Sequence, residues 1–235
     1  MAERREILIL FDIDGTLVRM RSDLIRPIFE GLFRDECARS IDLHGFDYSG
    51  KTDSQIVREM SERLGFNNEE HEALHPRAMT YIEESLARLM SEESLRLLPG
   101  VIELLDALSA RPNCTLAILT GNTPGGAKAK LDVFGLMKYF AFGVYGTQSH
   151  DRNLLGPIAI TKAQNLLGKH FIGEEVVVIG DSHRDARCAN AIDARAIITL
   201  TGKELREEFA NEKVFRFFND LTDTEQVVAA ILTGI

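Results

Sequence analysis

The chain has only three cysteines, Cys37, Cys114 and Cys188. Their number is odd and their spacing wide, which argues against a disulfide framework and against a thiolate metal site; a reduced, cytoplasmic setting is the simple expectation. Long apolar runs are also missing. The charged segment from Met1 to Glu6 is followed by an apolar stretch too short for a signal peptide or a membrane-spanning helix, so no membrane partner is expected. There is no excess of positive charge: 27 Lys and Arg stand against 36 Asp and Glu, a net charge of −9. A nucleic-acid-binding surface is therefore not expected. Repeats and low-complexity tracts are absent too, and a monomer is the default.

What remains is an ordinary globular composition, 45% hydrophobic and 27% charged. Its 235 residues suffice for one sizeable domain with an insertion, or for two small ones. One stretch organises the rest: Ile7-Leu8-Ile9-Leu10-Phe11-Asp12-Ile13-Asp14-Gly15-Thr16-Leu17. The apolar run reads as a strand buried on both faces, as inside a parallel sheet. It ends in two carboxylates, then Gly and Thr, at the strand end where open α/β sheets bind ligands. A solvated turn is the competing reading, because Asp and Gly are common turn residues. The chemical reading is phosphoryl transfer. Asp12 can attack phosphorus to form an acyl phosphate, and Asp14 can protonate the leaving oxygen and later deprotonate water. A hard cation such as Mg²⁺ would offset the repulsion between carboxylate and phosphate.

Around this strand the pattern alternates. Helical spacing of apolar residues recurs between residues 18 and 95, in Leu24-Ile25-Ile28-Phe29-Leu32-Phe33, in Ile56-Val57-Met60-Leu64 and in Met79-Ile82-Leu86-Leu89-Met90, which predicts about four helices and no buried strand. Strands and helices then alternate. Strands are predicted at 114–119, 140–145, 176–179, 196–200 and 214–218. Helices are predicted after Gly100, after Asn122 to about Phe134, and at 154–167, 185–192, 204–209 and 224–232. The fold class is α/β, a doubly wound parallel sheet, with residues 1–17 and 96–235 as the core and 18–95 as a helical insertion.

Three later stretches carry polar groups at strand ends or helix starts. Thr120-Gly121-Asn122 follows Leu116-Ala117-Ile118-Leu119, and its hydroxyl and amides can donate to phosphate oxygens. Arg152, in His150-Asp151-Arg152-Asn153, offers a fixed cation; Lys162 competes but falls mid-helix, where a solvated Lys is the default. Gly180-Asp181-Ser182-His183-Arg184-Asp185 follows Val176-Val177-Val178-Ile179. His183 reads as an exposed loop side chain, not a ligand.

In order and spacing these stretches resemble the four motifs of the haloacid dehalogenase-like hydrolase superfamily, closest to its phosphoglycolate-phosphatase-like subgroup with a helical cap. The resemblance implies a Rossmann-like core with residues 18–95 closing over the site. It implies Asp12 as nucleophile and Asp14 as acid/base, which dehalogenases proper lack. Thr120 and Arg152 would hold the phosphoryl oxygens, although the family usually has Lys, often Lys-Pro, where Arg152 stands. Mg²⁺ would be held by Asp12, the main-chain carbonyl of Asp14, and Asp181, with Asp185 in support. Gly15, Thr16, Gly121 and Asn122 would line the phosphate site, and the partner would be a small phosphorylated metabolite. The expected activity is Mg²⁺-dependent phosphomonoester hydrolysis through an aspartyl phosphate. A sugar phosphomutase of the β-phosphoglucomutase type and a non-enzymatic interaction protein with a relic site are the alternatives.

Gly45-Phe46-Asp47-Tyr48-Ser49-Gly50-Lys51-Thr52 matches the P-loop pattern, but no buried strand precedes it and its interior is bulky and acidic, so a nucleotide-triphosphatase is not expected. Within the resemblance the same loop faces the substrate, with Lys51 reading an anionic group. An exposed Lys51 before a helix capped by Thr52 or Asp53 is the alternative.

Overall fold

The protein is described from a computed structural model covering residues 5–233. In chain order it contains strand β1 (Ile7–Phe11), strand β2 (Val18–Met20), helices α1 (Ser22–Cys37), α2 (Asp53–Arg63) and α3 (Asn68–Leu89), and strand β3 (Leu95–Leu97). These are followed by α4 (Val101–Ser109), β4 (Cys114–Leu119), α5 (Pro124–Asp132), β5 (Phe142–Val144), α6 (Leu155–Leu167) and β6 (Val176–Gly180). The chain closes with α7 (His183–Asn190), β7 (Arg195–Thr199), β8 (Arg216–Phe218) and α8 (Thr224–Leu232).

Six strands form one sheet in the order β5-β4-β1-β6-β7-β8, and every pairing is parallel. Side chains alternate across a strand, so the unbroken apolar run of β1 must supply two cores. Ile7, Ile9 and Phe11 pack with Leu104, Leu105 and Leu108 of α4 and with Val227 and Ile231 of α8. Leu8 and Leu10 point the other way, to Leu155 and Ala159 of α6 and Ala186 and Ala189 of α7. All five β1 side chains are fully buried, each worth about 1.5–3 kcal/mol of transfer free energy. From β1 the chain builds β4 and β5 on one side and then returns to place β6, β7 and β8 on the other. That reversal opens a crevice at the carboxyl end of β1, where α/β sheets bind ligands.

Between β2 and β3 the structure has three helices among the described residues, not about four. Residues 38–52 form no regular element; Gly45 and Gly50 have φ of 74° and 61°, and Asp47 accepts the Ser49 N–H in a local turn. Thr52 caps α2 by accepting the Gln55 N–H, and Asn67 and Glu70 form a capping box on α3. The three helices share an apolar cluster of their own, with Phe29, Phe33, Val57, Met60, Leu74 and Ile82. The two strands at the ends of this stretch were not expected. β2 and β3 pair antiparallel over three residues each, too short for alternation to register. Other boundaries differ too: β5 and β8 fill only part of the predicted 140–145 and 214–218, the helix predicted at 204–209 is only a 3₁₀ turn (Arg206–Phe209), and α7 begins at His183. No helix among the described residues is long and apolar enough to cross a membrane.

Arg195 sits in β7 with only 6% of its surface exposed. Its guanidinium donates to the carbonyls of Glu174 (2.9 Å), Ala230 (3.1 Å), Ile231 (2.8 Å) and Thr233 (2.7 Å). It thereby satisfies the orphan carbonyls at the end of α8, which has no basic residue in its last turn. Arg195→Met keeps the volume and strands these carbonyls. It is expected to lower unfolding free energy by about 2–4 kcal/mol, read from urea titration at constant m-value.

Candidate active site

Strand ends deliver the polar groups. β1 delivers Asp12 and Asp14, β4 delivers Thr120 and Asn122, β6 delivers Asp181, the first turn of α7 delivers Asp185, and the 3₁₀ turn before α6 delivers Arg152. Together with Lys51, Gly15 and Gly121, all of these except the fully buried Asp185 border a cavity of about 980 Å³ between the sheet and the helical insertion. Gly15 has φ of 88°, and a Cβ there would overlap the Asp181 carboxylate; a Cβ at Gly202 would meet the same group. Two bare backbones thus let Asp181 lie close against them. Thr201 Oγ1 donates to the Gly15 carbonyl at 2.5 Å, fixing one wall. Thr16 is buried and its hydroxyl has no hydrogen-bond partner among the described residues.

Oxygens of Asp12, Asp181 and Asp185 lie within 4.8 Å of one another. Arg152, 4% exposed, crosses the cluster: Nη2 donates to Asp12 Oδ1 at 2.9 Å and, closely, to Asp185 Oδ1. The other Asp185 oxygen accepts the backbone N–H groups of Asp181 (3.2 Å) and Ser182 (3.0 Å) and the Ser182 hydroxyl (2.6 Å). Burial pushes Asp12 up to about 7, further raised by Asp185 and Asp14 and opposed by Arg152. Asp181 is raised well above the carboxylate range by burial and by the charges of Asp185 and Asp12. Burial works against the charge on Arg152, but Asp185 and Asp12 outweigh it and hold the guanidinium protonated. Arg152 alone cannot balance all three carboxylates, so Asp12 and Asp181 tend to keep protons, and ionising the whole cluster would leave surplus negative charge. An oxygen-only donor set with surplus negative charge fits a hard divalent cation.

A second cluster sits at the end of β4. Asn122 Nδ2 donates to Asp14 Oδ2 at 2.8 Å and to Thr120 Oγ1 at 2.8 Å. Lys130 Nζ donates to Asp14 Oδ2 and to Asn122 Oδ1, both at 2.6 Å. Lys130 is only 3% exposed. Sequence reasoning missed it, although a signal existed. Ala127, Lys130 and Leu131 share the buried face of α5, and a lysine three residues from one apolar position and next to another needs a partner if that face packs inward.

The remaining residues sort clearly. Lys162 is far from the acids' network and donates to the Gly143 carbonyl at 2.8 Å. His183 is not an exposed loop residue: it opens α7, and its Nδ1 lies 2.8 Å from Glu204 Oε1. Lys51 borders the cavity but is already engaged, with Nζ 2.6 Å from Glu59 Oε2 and 4.5 Å from the Phe46 ring centre. Its loop is stitched to the core instead. The Gly50 carbonyl accepts Arg152 Nη1 at 3.1 Å, Thr52 Oγ1 donates to the His150 carbonyl at 3.1 Å, and Asp53 N–H donates to the Gly121 carbonyl at 2.7 Å.

Asp53, 7% exposed, accepts the Thr123 N–H at 2.8 Å. Burial raises it to about 6, against the pull of Lys130. The folded state therefore holds this proton more tightly than the unfolded chain. Asp53 supports stability fully below its ordinary value of 3.8, and that support is lost as pH rises through about 6. Asp53→Asn keeps the acceptor and removes the ionisation. It is expected to unfold like the wild type at pH 4 and to exceed it by on the order of 2 kcal/mol at pH 7.5, read from paired denaturation curves.

A family model described as haloacid dehalogenase-like hydrolase matches residues 8–193. No curated protein sequence matches the chain. Among solved structures, a predicted phosphoglycolate phosphatase from Haemophilus somnus is 21% identical, with a TM-score of 0.67 over 97% of this chain and 100% of that one. CbbY from Rhodobacter sphaeroides in complex with phosphate is 19% identical, with a TM-score of 0.65 over 92% of this chain and 95% of that one. A predicted phosphatase from Clostridium acetobutylicum is 17% identical, with a TM-score of 0.71 over 95% of this chain and 99% of that one. At these identities the likeness is one of fold.

Proposed function

Because the chain belongs to the haloacid dehalogenase-like hydrolases, we propose that it hydrolyses a small phosphomonoester through a phosphorylated Asp12, in the manner of a phosphoglycolate phosphatase. The observation that carries this reading is the pairing of Arg152 with Asp12 at the cavity floor, 2.9 Å apart, beside Thr120 and Asp14. Asp12 attacks phosphorus with one oxygen while Arg152 fixes the other. Asp14 gives its proton to the leaving alkoxide as the ester P–O bond breaks. Water then attacks the phosphorus, gives its proton to Asp14, and the acyl P–O bond breaks to restore Asp12. Thr120 and Arg152 donate to the phosphoryl oxygens throughout, aimed where charge gathers in the transition state. Asp12, Asp181 and the main-chain carbonyl of Asp14, with Asp185 in support, would hold Mg²⁺, which supplies charge neutralisation between carboxylate and phosphate.

The helical insertion acts as the cap in this reading. Its loop at 50–53 meets Arg152 and Gly121, and Gly125 N–H donates to Glu83 Oε1 of α3 at 2.8 Å. Closing over the cavity excludes bulk water while Asp12 is being phosphorylated. The protein works as a monomer on a phosphorylated metabolite of the reduced cytoplasm, where its free cysteines persist as thiols.

The test is release of orthophosphate from a panel of aryl, glycolate and sugar phosphates, with and without Mg²⁺. Turnover that requires Mg²⁺ and stops with EDTA is the expected result. A panel without any Mg²⁺-dependent release overturns the reading.

A further inference from the structure

We infer that Lys130 is a positioning residue that sets both the acid/base carboxylate and the phosphate-binding hydroxyl, by locking Asp14 and Asn122 in one arrangement. The inference rests on the reaction proposed above. Lysine at this depth must have acceptors, and its ammonium has donors only. It finds two, Asp14 Oδ2 and Asn122 Oδ1, each at 2.6 Å.

The bond to Asn122 decides how that amide points. Its carbonyl oxygen faces the ammonium, so its NH₂ group faces Asp14 Oδ2 and Thr120 Oγ1, both at 2.8 Å. Reversing the amide would set two N–H groups against Lys130 and a carbonyl oxygen against the Asp14 carboxylate. Thr120 Oγ1 also receives the Asn122 backbone N–H at 3.3 Å, so both of its acceptor sites are taken. Its own proton is left to point into the cavity, where a phosphoryl oxygen would sit. The Lys130 charge is thus converted, through one amide, into the direction of a hydroxyl on β4.

The same bond divides the two oxygens of Asp14. Oδ2 accepts both Lys130 and Asn122, while Oδ1 accepts no hydrogen bond from the described residues. Oδ1 is the atom that carries the proton to the leaving oxygen and later receives one from water. Without Lys130 the carboxylate is free to turn about its side-chain bonds and the amide to flip. Asp53, brought in by the helical insertion, also lies within the electrostatic reach of Lys130. The arrangement therefore joins β1, β4, α5 and the insertion at one ammonium.

The experiment uses p-nitrophenyl phosphate with Mg²⁺ in rapid-mixing assays of the wild type, Lys130→Met and Lys130→Arg. Nitrophenolate leaves without a proton, so phosphorylation of Asp12 survives the loss of positioned Asp14, whereas attack of water does not. Lys130→Met is expected to keep a burst amplitude of nearly one nitrophenolate per site, at a rate lowered by the undirected Thr120 hydroxyl, and then to turn over about a hundredfold more slowly than the wild type. Lys130→Arg keeps a donor at the same place and is expected to recover part of the steady rate. Equal loss of burst amplitude and steady rate in Lys130→Met would mean that Lys130 only supports the fold, and would overturn the inference. An unchanged steady rate overturns it as well. A wild type inactive on every ester overturns the reaction itself, and this inference with it, whereas an active wild type beside an equally active Lys130→Met overturns the inference alone.

Discussion

Asp12→Asn is expected to abolish turnover and at the same time to make the metal-free protein more stable. The loss should be about 10⁴-fold or more in kcat, because an amide cannot form the acyl phosphate and the remaining groups only bind. The gain follows from the electrostatics of the site. Burial, Asp185 and Asp14 together overcome Arg152 and raise Asp12 to about 7, so the fold resists the charge that the chemistry needs. A raised carboxylate supports stability below its ordinary value of 3.8 and withdraws that support as pH rises through about 7. At pH 4 or below wild type and variant should therefore melt close together. At pH 8 the variant should melt about 3–5 °C higher, the shift expected of one or two kcal/mol in a chain of this size. Addition of Mg²⁺ should reverse the order, since it binds the ionised cluster and stabilises only the protein that has it. Scanning calorimetry at the two pH values, with and without Mg²⁺, reads all of this. A variant less stable than the metal-free wild type at pH 8 would show that the cluster is not strained.

Arg152→Met should have the largest effect on stability at the site. The guanidinium is 4% exposed and stands between Asp12 and the fully buried Asp185. Deleting it leaves two buried carboxylates without a cation, a loss of about 3–5 kcal/mol and about 10 °C in Tm. It also releases the Gly50 carbonyl, one of the ties between core and insertion. Arg152→Lys should recover little, because one ammonium cannot reproduce a planar fork that meets both acids and the Gly50 carbonyl. Lys162→Met provides the control. Its single bond to the Gly143 carbonyl is worth about 1 kcal/mol, and turnover should be unaffected. Equal damage from the two methionine variants, by thermal melting and kcat, would remove Arg152 from its special place.

The core was readable in the sequence because burial on both faces leaves no choice of residue. β4 and α8 appear with the predicted limits, and Gly135 and Gly168 close their turns with φ of 62° and 65°. That the acids at 12, 14 and 181 share one end of the sheet was readable because each closely follows an apolar strand, and parallel strands bring such ends together. Lys130 was not, because helical spacing says nothing of which groups a buried side chain of α5 will meet at the ends of β4 and its neighbour β1. Lys51 shows the converse. Its place before α2 offered it to the substrate, yet Glu59, one helical face further on, and the Phe46 ring take up its charge. β2 and β3 escaped because each spans three residues with only one of them buried, less than one repeat of any pattern.

That short ribbon has a consequence of its own. Val18 to Met20 pairs directly with Leu95 to Leu97, and Arg21 N–H donates to the Ser94 carbonyl at 3.0 Å, so the chain leaves the core and comes back at nearly one point. To the sheet, the helices between are a detour whose two ends already meet. Because the two ends are already paired, the register of the six-stranded sheet does not depend on the length of chain between them. The helical segment is thus separable from the sheet in connectivity but not in contact: any replacement would have to restore the ties that Gly50, Thr52, Asp53 and Glu83 make to the core.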